Sequence, residues 1–149
     1  MTFHLPRQVH EAIEREGIAA YPNECCGILV GQDSNGVRTV ERIIPMKNAF
    51  DEQEQYHRFT IDPMALARAD EAAVKEGKAV VGFYHSHPDH PAQPSEYDRT
   101  HVPPWSYYSH IIVAIEKGKP AAMTCWTLNE STEQFDEQLI SQEQEARNS

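Results

Sequence analysis

The sequence predicts a domain of the α/β (α+β) class, in which helices flank both sides of a central mixed, mostly antiparallel sheet. Two observations lead to this prediction. Patterns typical of a helix, a hairpin, a strand, a second helix and further strands follow one another along the chain. The 149 residues, 40% of them hydrophobic, can bury one sizeable core. The same order of elements also fits a generic α+β sandwich.

We expect one domain over residues 1–140 and a polar, Gln/Glu-rich tail over 141–149. The 23 acidic and 13 basic side chains give a net charge of −10, and the absence of a basic run argues against a nucleic-acid or anionic-membrane binder. Three cysteines are too few for a disulfide framework, and no signal segment or membrane-length apolar run occurs. The sequence therefore predicts a reduced, soluble, cytoplasmic protein.

The amino-terminal half is predicted to hold two helices, a hairpin and one further strand. The first helix is the amphipathic stretch Pro6–Ala20. A buried strand around Ile28–Val30 turns back into Val37–Pro45 as a hairpin. A strand is expected at Tyr56–Ile61, and a helix from the N-cap Asp62 to about Glu76, stopped by the glycine that follows. The packing face of this second helix is predicted to be Ala65, Leu66, Ala69, Ala72, Ala73 and Val74.

The carboxyl-terminal half reads mainly as strands. Ala79–Tyr84 is short, β-branched and aromatic, which indicates a buried strand. A short helix is expected over Ser95–His101, followed by strands at Ser109–Ile115 and Ala121–Leu128. The last segment, Glu133–Ile140, alternates poorly and is compatible with either a strand or a short helix.

Polar residues that can bind a metal follow the buried strand directly. Side chains alternate along a strand, so His85 and His87 are predicted to project to the same side. Three prolines between positions 88 and 94 stop the strand and stiffen the loop, and Asp98 follows. Two histidines and one carboxylate are a typical ligand set for catalytic zinc with water at the fourth position, although they also suit iron or manganese.

Each of these residues also has an ordinary structural explanation. Ser95 and Asp98 have the spacing of a helix capping box. His85 and His87 could be satisfied core histidines, and Glu24, at the mouth of a buried strand, could be a salt-bridge partner or a catalytic base. The residues alone leave these alternatives open. The adjacent cysteines 25 and 26 would point to opposite strand faces, so they are predicted to be small buried hydrophobes, as is the cysteine at 125.

The wider pattern resembles a known family. Glu24 is followed by His85-Ser86-His87-Pro88, then by Ser95 after seven residues from the second histidine, and by Asp98 three residues later. This spacing is similar to the JAMM (MPN-plus) zinc metallopeptidase pattern Glu…His-x-His-x7-Ser-x-x-Asp. The resemblance covers roughly residues 9–128 and is nearest to small stand-alone bacterial members. It implies a cytidine-deaminase-like fold.

The resemblance also implies a role for each residue of the pattern. His85, His87 and Asp98 would bind Zn²⁺, with a water at the fourth position. Glu24 would be the general base, taking the proton of the water and passing it to the leaving amine. Ser95 would hydrogen-bond the water or the tetrahedral oxyanion.

The reaction implied by the family is hydrolysis of a peptide or isopeptide bond, often after the C-terminal glycine of a ubiquitin-like or sulfur-carrier protein. We expect such a tail to lie at the sheet edge, between the Glu24 hairpin and the loop Pro88–Pro94. His90 in this loop is expected to be exposed. The alternatives are a non-catalytic MPN interaction module and, lower, a nucleobase deaminase, since the His-x-Glu and Pro-Cys-x-x-Cys motifs of that class are absent.

Overall fold

The computed structural model describes residues 2–50, 52–56, 58–95 and 108–142. Within these ranges the chain forms two α-helices, a single 3-10 turn at Glu52–Glu54 and eight strands. The helices are α1 (Arg7–Ala20) and α2 (Pro63–Lys75). The strands are β1 (Thr2–His4), β2 (Cys26–Ser34), β3 (Val37–Met46), β4 (Ala79–Pro88), β5 (Ser109–Glu116), β6 (Lys119–Asn129), β7 (Gln134–Gln138) and β8 (Ile140–Ser141).

All eight strands belong to one sheet, in the order β7-β6-β5-β4-β2-β3-β1-β8. The pairs β2–β3, β2–β4, β5–β6 and β6–β7 are antiparallel, whereas β4–β5, β1–β3 and β1–β8 are parallel. The α+β class and the mixed sheet are therefore as predicted. Because three of the seven pairings among the described strands are parallel, the antiparallel emphasis of the prediction is not confirmed.

One helix packs on each face of the sheet. Ile13 of α1 shares a buried cluster with Leu29 of β2. The next residue back along β2, Ile28, belongs to a second cluster with Ala73 of α2. Because successive strand residues face opposite sides, the two helices lie on opposite faces, which confirms the prediction of helices on both sides.

Helix α2 begins and ends at the predicted signals. The Oδ1 atom of Asp62 accepts a hydrogen bond of 3.2 Å from the backbone N–H of Met64, and Gly77 follows the helix with a φ of +74°. The predicted packing face is too wide, however. Ala73 is fully buried, but Val74 is 65% exposed. Ala72 is exposed as well.

The predicted strand at Tyr56–Ile61 is wrong, since the described residues of this segment form no strand. The side chain of Asn48 satisfies the backbone groups that a neighbouring strand would otherwise pair. Its Oδ1 accepts from the N–H groups of Phe50 and Thr60, at 3.0 and 3.1 Å, and its Nδ2 donates to the carbonyl of Arg58 at 2.9 Å. This segment is therefore a loop folded around one amide.

The ends of the chain were less predictable. The open segment Glu133–Ile140 forms strand β7 and the start of β8, so its strand alternative is correct. Strand β1 was not predicted, because three residues are too few to show a periodicity. The expected short helix after Ser95 and the tail from 143 onward lie outside the described residues. No helix of the described part is long and apolar enough to span a membrane.

Glycine is required at one position where β2 pairs with β4. Gly27 pairs with Tyr84, whose side chain is fully buried. A Cβ atom added at Gly27 would overlap the phenol ring of Tyr84. The absence of a side chain at this position therefore allows the ring to fill the core directly below the strand pair.

A carboxylate anchors the loop that follows β4. Asp89 has a φ of +59°, and its backbone N–H donates to the carbonyl of Ile115 at 2.7 Å. Its carboxylate accepts from the hydroxyl of Tyr21, just after α1, and from the N–H of Lys117 at 2.7 Å. These hydrogen bonds lower the pKa of Asp89 and raise that of Tyr21. The loop is thus attached to the end of α1 and to the β5–β6 turn.

We predict that Gly27→Ala destabilises the protein by about 1–3 kcal/mol, because the new methyl group overpacks the core against Tyr84. Denaturant unfolding followed by circular dichroism measures this free energy. In a Tyr84→Leu background the same substitution should cost clearly less. An equal cost in both backgrounds would show that the tyrosine ring is not the obstacle.

We predict that Asp89→Gly, which allows the positive φ but removes both side-chain hydrogen bonds, lowers the free energy of unfolding. Tyr21→Phe removes one of the two bonds and should cost about half as much. In the Asp89→Gly background, Tyr21→Phe should have almost no further effect. Additive losses in urea unfolding would contradict the shared anchor.

Candidate metal centre

The carboxyl end of β4 brings two imidazoles together. His85 and His87 are 2% and 1% exposed, and their Nε2 atoms lie 3.1 Å apart. Two nitrogen ligands at 2.0–2.1 Å on one tetrahedral zinc ion would be separated by roughly 3.3 Å. The spacing of the two nitrogens is therefore close to the one that a shared ion needs.

The loop and a neighbouring aromatic ring fix the orientation of these imidazoles. The Nδ1 atom of His87 lies 2.8 Å from the carbonyl oxygen of Pro91. Since a carbonyl only accepts, Nδ1 carries the proton, and Nε2 is the nitrogen that can bind a metal. The ring of Phe59 stacks on His85 with a centroid distance of 4.4 Å and an interplanar angle of 23°.

Glu24 lies beside the histidines. It lies two residues before the start of β2, whose first residue, Cys26, pairs with His85. The Glu24 side chain is buried, with 3% exposed. One of its carboxylate oxygens and a ring nitrogen from each of His87 and His90 all lie within 4.8 Å of one another, a grouping that can hold a metal ion.

Hydrogen bonds on both sides hold the backbone of Glu24. Its N–H donates to the carbonyl of Gln55 at 2.7 Å, and its carbonyl accepts from Nδ2 of Asn48 at 3.3 Å. The next residue, Cys25, donates its N–H to the hydroxyl of Ser86 at 2.8 Å and accepts from the N–H of Ser86 at 3.2 Å. Ser86 alternates with the two metal-facing histidines, so it supports the site from the opposite face of the sheet.

The expectation of an exposed His90 is wrong. This histidine is half-buried, and its ring centroid lies 4.3 Å from that of His87. The positive φ of Asp89 turns the chain back, and Nδ1 of His90 lies 2.8 Å from the carbonyl oxygen of Pro88. A third histidine in a proline-rich loop was the only sequence signal for this position, and it falls outside the motif spacing.

Ser95 and Asp98 are placed to different degrees. Ser95 is half-buried at the end of the described loop. Asp98 lies outside the described residues, so its role as third metal ligand stays a prediction, as does the alternative of a helix cap with Ser95.

The cysteines are poor candidates for the metal centre. Cys25, Cys26 and Cys125 are buried free thiols, as predicted. Burial raises the pKa of Cys25 to about 11 and those of Cys26 and Cys125 to about 12. The group of potential ligands formed by Glu24, His87 and His90 contains no cysteine.

Two clefts adjoin the site. A cleft of about 530 Å³ is lined by His90 and by Trp126 of β6. A second, of about 510 Å³, is lined by Asn48 and Gln55, which hold the backbone of Glu24. Strand β2 lies between β4 and β3 in the described sheet, whose outer strands are β7 and β8, and the expected docking of a tail beside the Glu24 hairpin stays a prediction.

The donor set fits a zinc centre. Two buried imidazoles converge through Nε2, and that of His87 is held in the metal-binding tautomer with the buried carboxylate of Glu24 next to it. Burying such groups side by side is costly unless they are paired or bind a cation. Glu24, the candidate base, comes from the segment before β2, whereas both histidines come from β4.

The chain is similar to two curated proteins. Over 98 residues it is 33% identical to a probable TtuB-protein conjugate cleaving protease of Thermus thermophilus, covering 66% of this chain and 62% of that protein. Over 99 residues it is 38% identical to a desampylase of Haloferax volcanii, covering 66% of this chain and 68% of that protein. The alignment thus spans less than two thirds of the Thermus protein.

Solved structures give the fold, and a family model gives the family. A protein from Desulfitobacterium hafniense superposes with a TM-score of 0.81 at 29% identity, covering 94% of this chain and 92% of that one. A JAB1/MPN domain protein from Archaeoglobus fulgidus, at 19% identity, has a TM-score of 0.57 with 94% and 98% coverage, which shows the shared fold. Because the model of prokaryotic homologs of the JAB domain matches residues 6–129, the chain belongs to that family.

Proposed function

We propose that this protein is a zinc-dependent peptidase that hydrolyses a peptide or isopeptide bond after the C-terminal glycine of a ubiquitin-like or sulfur-carrier protein. The observation that supports the proposal is the buried carboxylate of Glu24 next to His87, whose imidazole converges with that of His85. The substrate class is supported by the relatives named for cleaving TtuB conjugates and as a desampylase.

In this proposal His85, His87 and Asp98 hold the metal. The two histidines supply Nε2 from one face of β4, and Asp98 is assigned from the sequence pattern. A bound zinc ion lowers the pKa of a coordinated water from about 15.7 to about 7 and polarises the scissile carbonyl.

Glu24 acts as the general base. Its backbone is held by hydrogen bonds to Gln55 and Asn48, so the segment that carries the carboxylate is in place before the substrate binds. It takes a proton from the attacking water and delivers it to the leaving amine. Ser95, at the far end of the loop that carries His90, donates a hydrogen bond to the developing oxyanion.

The substrate tail crosses the face of the sheet in this proposal. Its two sides occupy the clefts that adjoin Glu24 and His90, since each cleft shares residues with one part of the site. Incubating the zinc-loaded protein with sulfur-carrier proteins that bear C-terminal extensions, followed by mass spectrometry, tests the substrate class. Cleavage after the terminal glycine is expected; an unchanged mass for every carrier would contradict it.

We predict that Glu24→Gln retains one equivalent of zinc but lowers kcat by about 10² to 10⁴, because the amide cannot accept the proton. Zinc content by metal analysis and single-turnover cleavage measure the two effects. Glu11→Gln, an exposed change of the same kind on α1, should leave both unchanged. Turnover that survives Glu24→Gln would rule out the proposed base.

We predict that His85→Ala abolishes zinc binding at neutral pH, because one of the two nitrogens that converge at the site is lost. Isothermal titration of the metal-free protein measures the stoichiometry. A wild-type protein that binds no zinc and cleaves no carrier would favour a non-catalytic interaction module.

A further inference from the structure

Two side chains of β6 attach the loop after β4 to the sheet, and the proposed mechanism uses neither of them. The hydroxyl of Thr124 donates to the carbonyl of Ala92 at 2.6 Å. The indole Nε1 of Trp126 donates in turn to the same hydroxyl at 2.7 Å. An indole N–H can only donate and a carbonyl can only accept, so the proton of the threonine hydroxyl is directed at Ala92.

The residue before Ala92 in this loop, Pro91, contacts a proposed metal ligand. Its carbonyl accepts from Nδ1 of His87 at 2.8 Å, which leaves Nε2 as the nitrogen that can bind an ion. The same carbonyl accepts from the N–H of Gln93 at 2.8 Å and so closes a tight turn around Ala92. The carbonyls of Pro91 and Ala92 flank a single Cα atom in this turn, so a displacement of one displaces the other.

Apolar packing keeps this turn on the face of the sheet that carries the histidines. Ala92 is 5% exposed and forms a buried cluster with Ile112 and Ala114 of β5. Ile112 pairs with His85 on one side and with Thr124 on the other. Because directly paired residues share a face of a sheet, the histidine, the threonine and the turn lie on one face, with β5 between the other two strands.

We infer that Thr124 is a positioning residue of the metal centre and that Trp126 orients its hydroxyl for this role. Through Ala92, the hydroxyl holds the Pro91 carbonyl where it keeps the proton on Nδ1 of His87. Such a partner fixes the tautomer and the ring orientation of a histidine that binds metal through its other nitrogen. The inference rests on the proposed function, since it concerns the ion that Nε2 of His87 would bind.

The competing explanation is that the hydroxyl only ties the loop to the sheet, and substitutions on β6 separate the two roles. Thr124→Val keeps the shape of the side chain but removes the hydroxyl, whereas Thr124→Ser keeps the hydroxyl. Trp126→Phe keeps an aromatic ring against the cluster around Ala92 but removes the N–H. Thr127→Val makes the same chemical change on the opposite face of β6 and is the matched control.

The first measurement uses the metal-free protein. Nitrogen-15 NMR in mildly alkaline buffer, where imidazoles are neutral, distinguishes the two tautomers of a histidine ring. We expect the wild type, Thr124→Ser and Thr127→Val to carry the His87 proton on Nδ1, and Thr124→Val to populate the other tautomer as well. A hydroxyl that only ties the loop would change the free energy of unfolding but not the tautomer of the folded protein.

The second measurement is zinc affinity by chelator competition. We expect Thr124→Val to bind zinc about 10-fold more weakly, the lower end of the effect of outer-shell partners, because it acts through the loop. Trp126→Phe should weaken binding by less, because the hydroxyl remains but its proton is no longer directed at Ala92. Thr124→Ser and Thr127→Val should bind zinc like the wild type.

A Thr124→Val protein with the wild-type tautomer or the wild-type zinc affinity would overturn the inference and leave the proposed metal centre standing. An equal loss of affinity in Thr124→Ser and Thr124→Val would also overturn it, because the hydroxyl would then not be the group that matters. Wild-type affinity in Trp126→Phe would overturn the role of the indole. If the wild type binds no zinc, the proposed function fails and the inference fails with it.

Discussion

The antiparallel pairing of β2 with β4 is the constraint on which the rest of the site depends. It places Cys26 opposite His85, so Glu24, two residues before the start of β2, lies at the end of β4 where the histidines are. A slip of one residue would turn the histidines to the opposite face of the sheet. The fit of the Tyr84 ring over Gly27 works against such a slip, since any other residue in place of the glycine would collide with the ring.

Polar side chains hold the segments around the site in place through hydrogen bonds to the backbone. Asn48 closes the loop that supports Glu24, Ser86 joins the two strands from the opposite face, and Asp89 attaches the histidine loop to two distant elements. Each of them pairs with backbone N–H or C=O groups that are not paired by the strands of the sheet. These hydrogen bonds hold Glu24 and the two histidines in their relative positions without a bound ligand, as the proposed base and metal ligands require.

Local patterns made much of this predictable. Alternation along β4 gave the common side of His85 and His87, and the Asp-Pro and Gly signals gave the start and end of α2. Features that depend on contacts between residues far apart in the chain could not be predicted from such local patterns. The loop around Asn48 looked like a strand because its hydrogen bonds go to a side chain, and His90 looked exposed because the turn at Asp89 depends on Tyr21 and Lys117, far away in the chain. The position of Glu24 beside the histidines was carried by the family pattern rather than by any local periodicity.

The length and charge of the outer strands affect whether a foreign strand can pair with the described sheet. One outer strand, β8, has two residues, and the other, β7, carries Asp136 and Glu137 in a five-residue segment. Short and negatively charged borders discourage foreign strands from joining the sheet and seeding aggregates. The borders of the described sheet therefore offer little template for polymerisation.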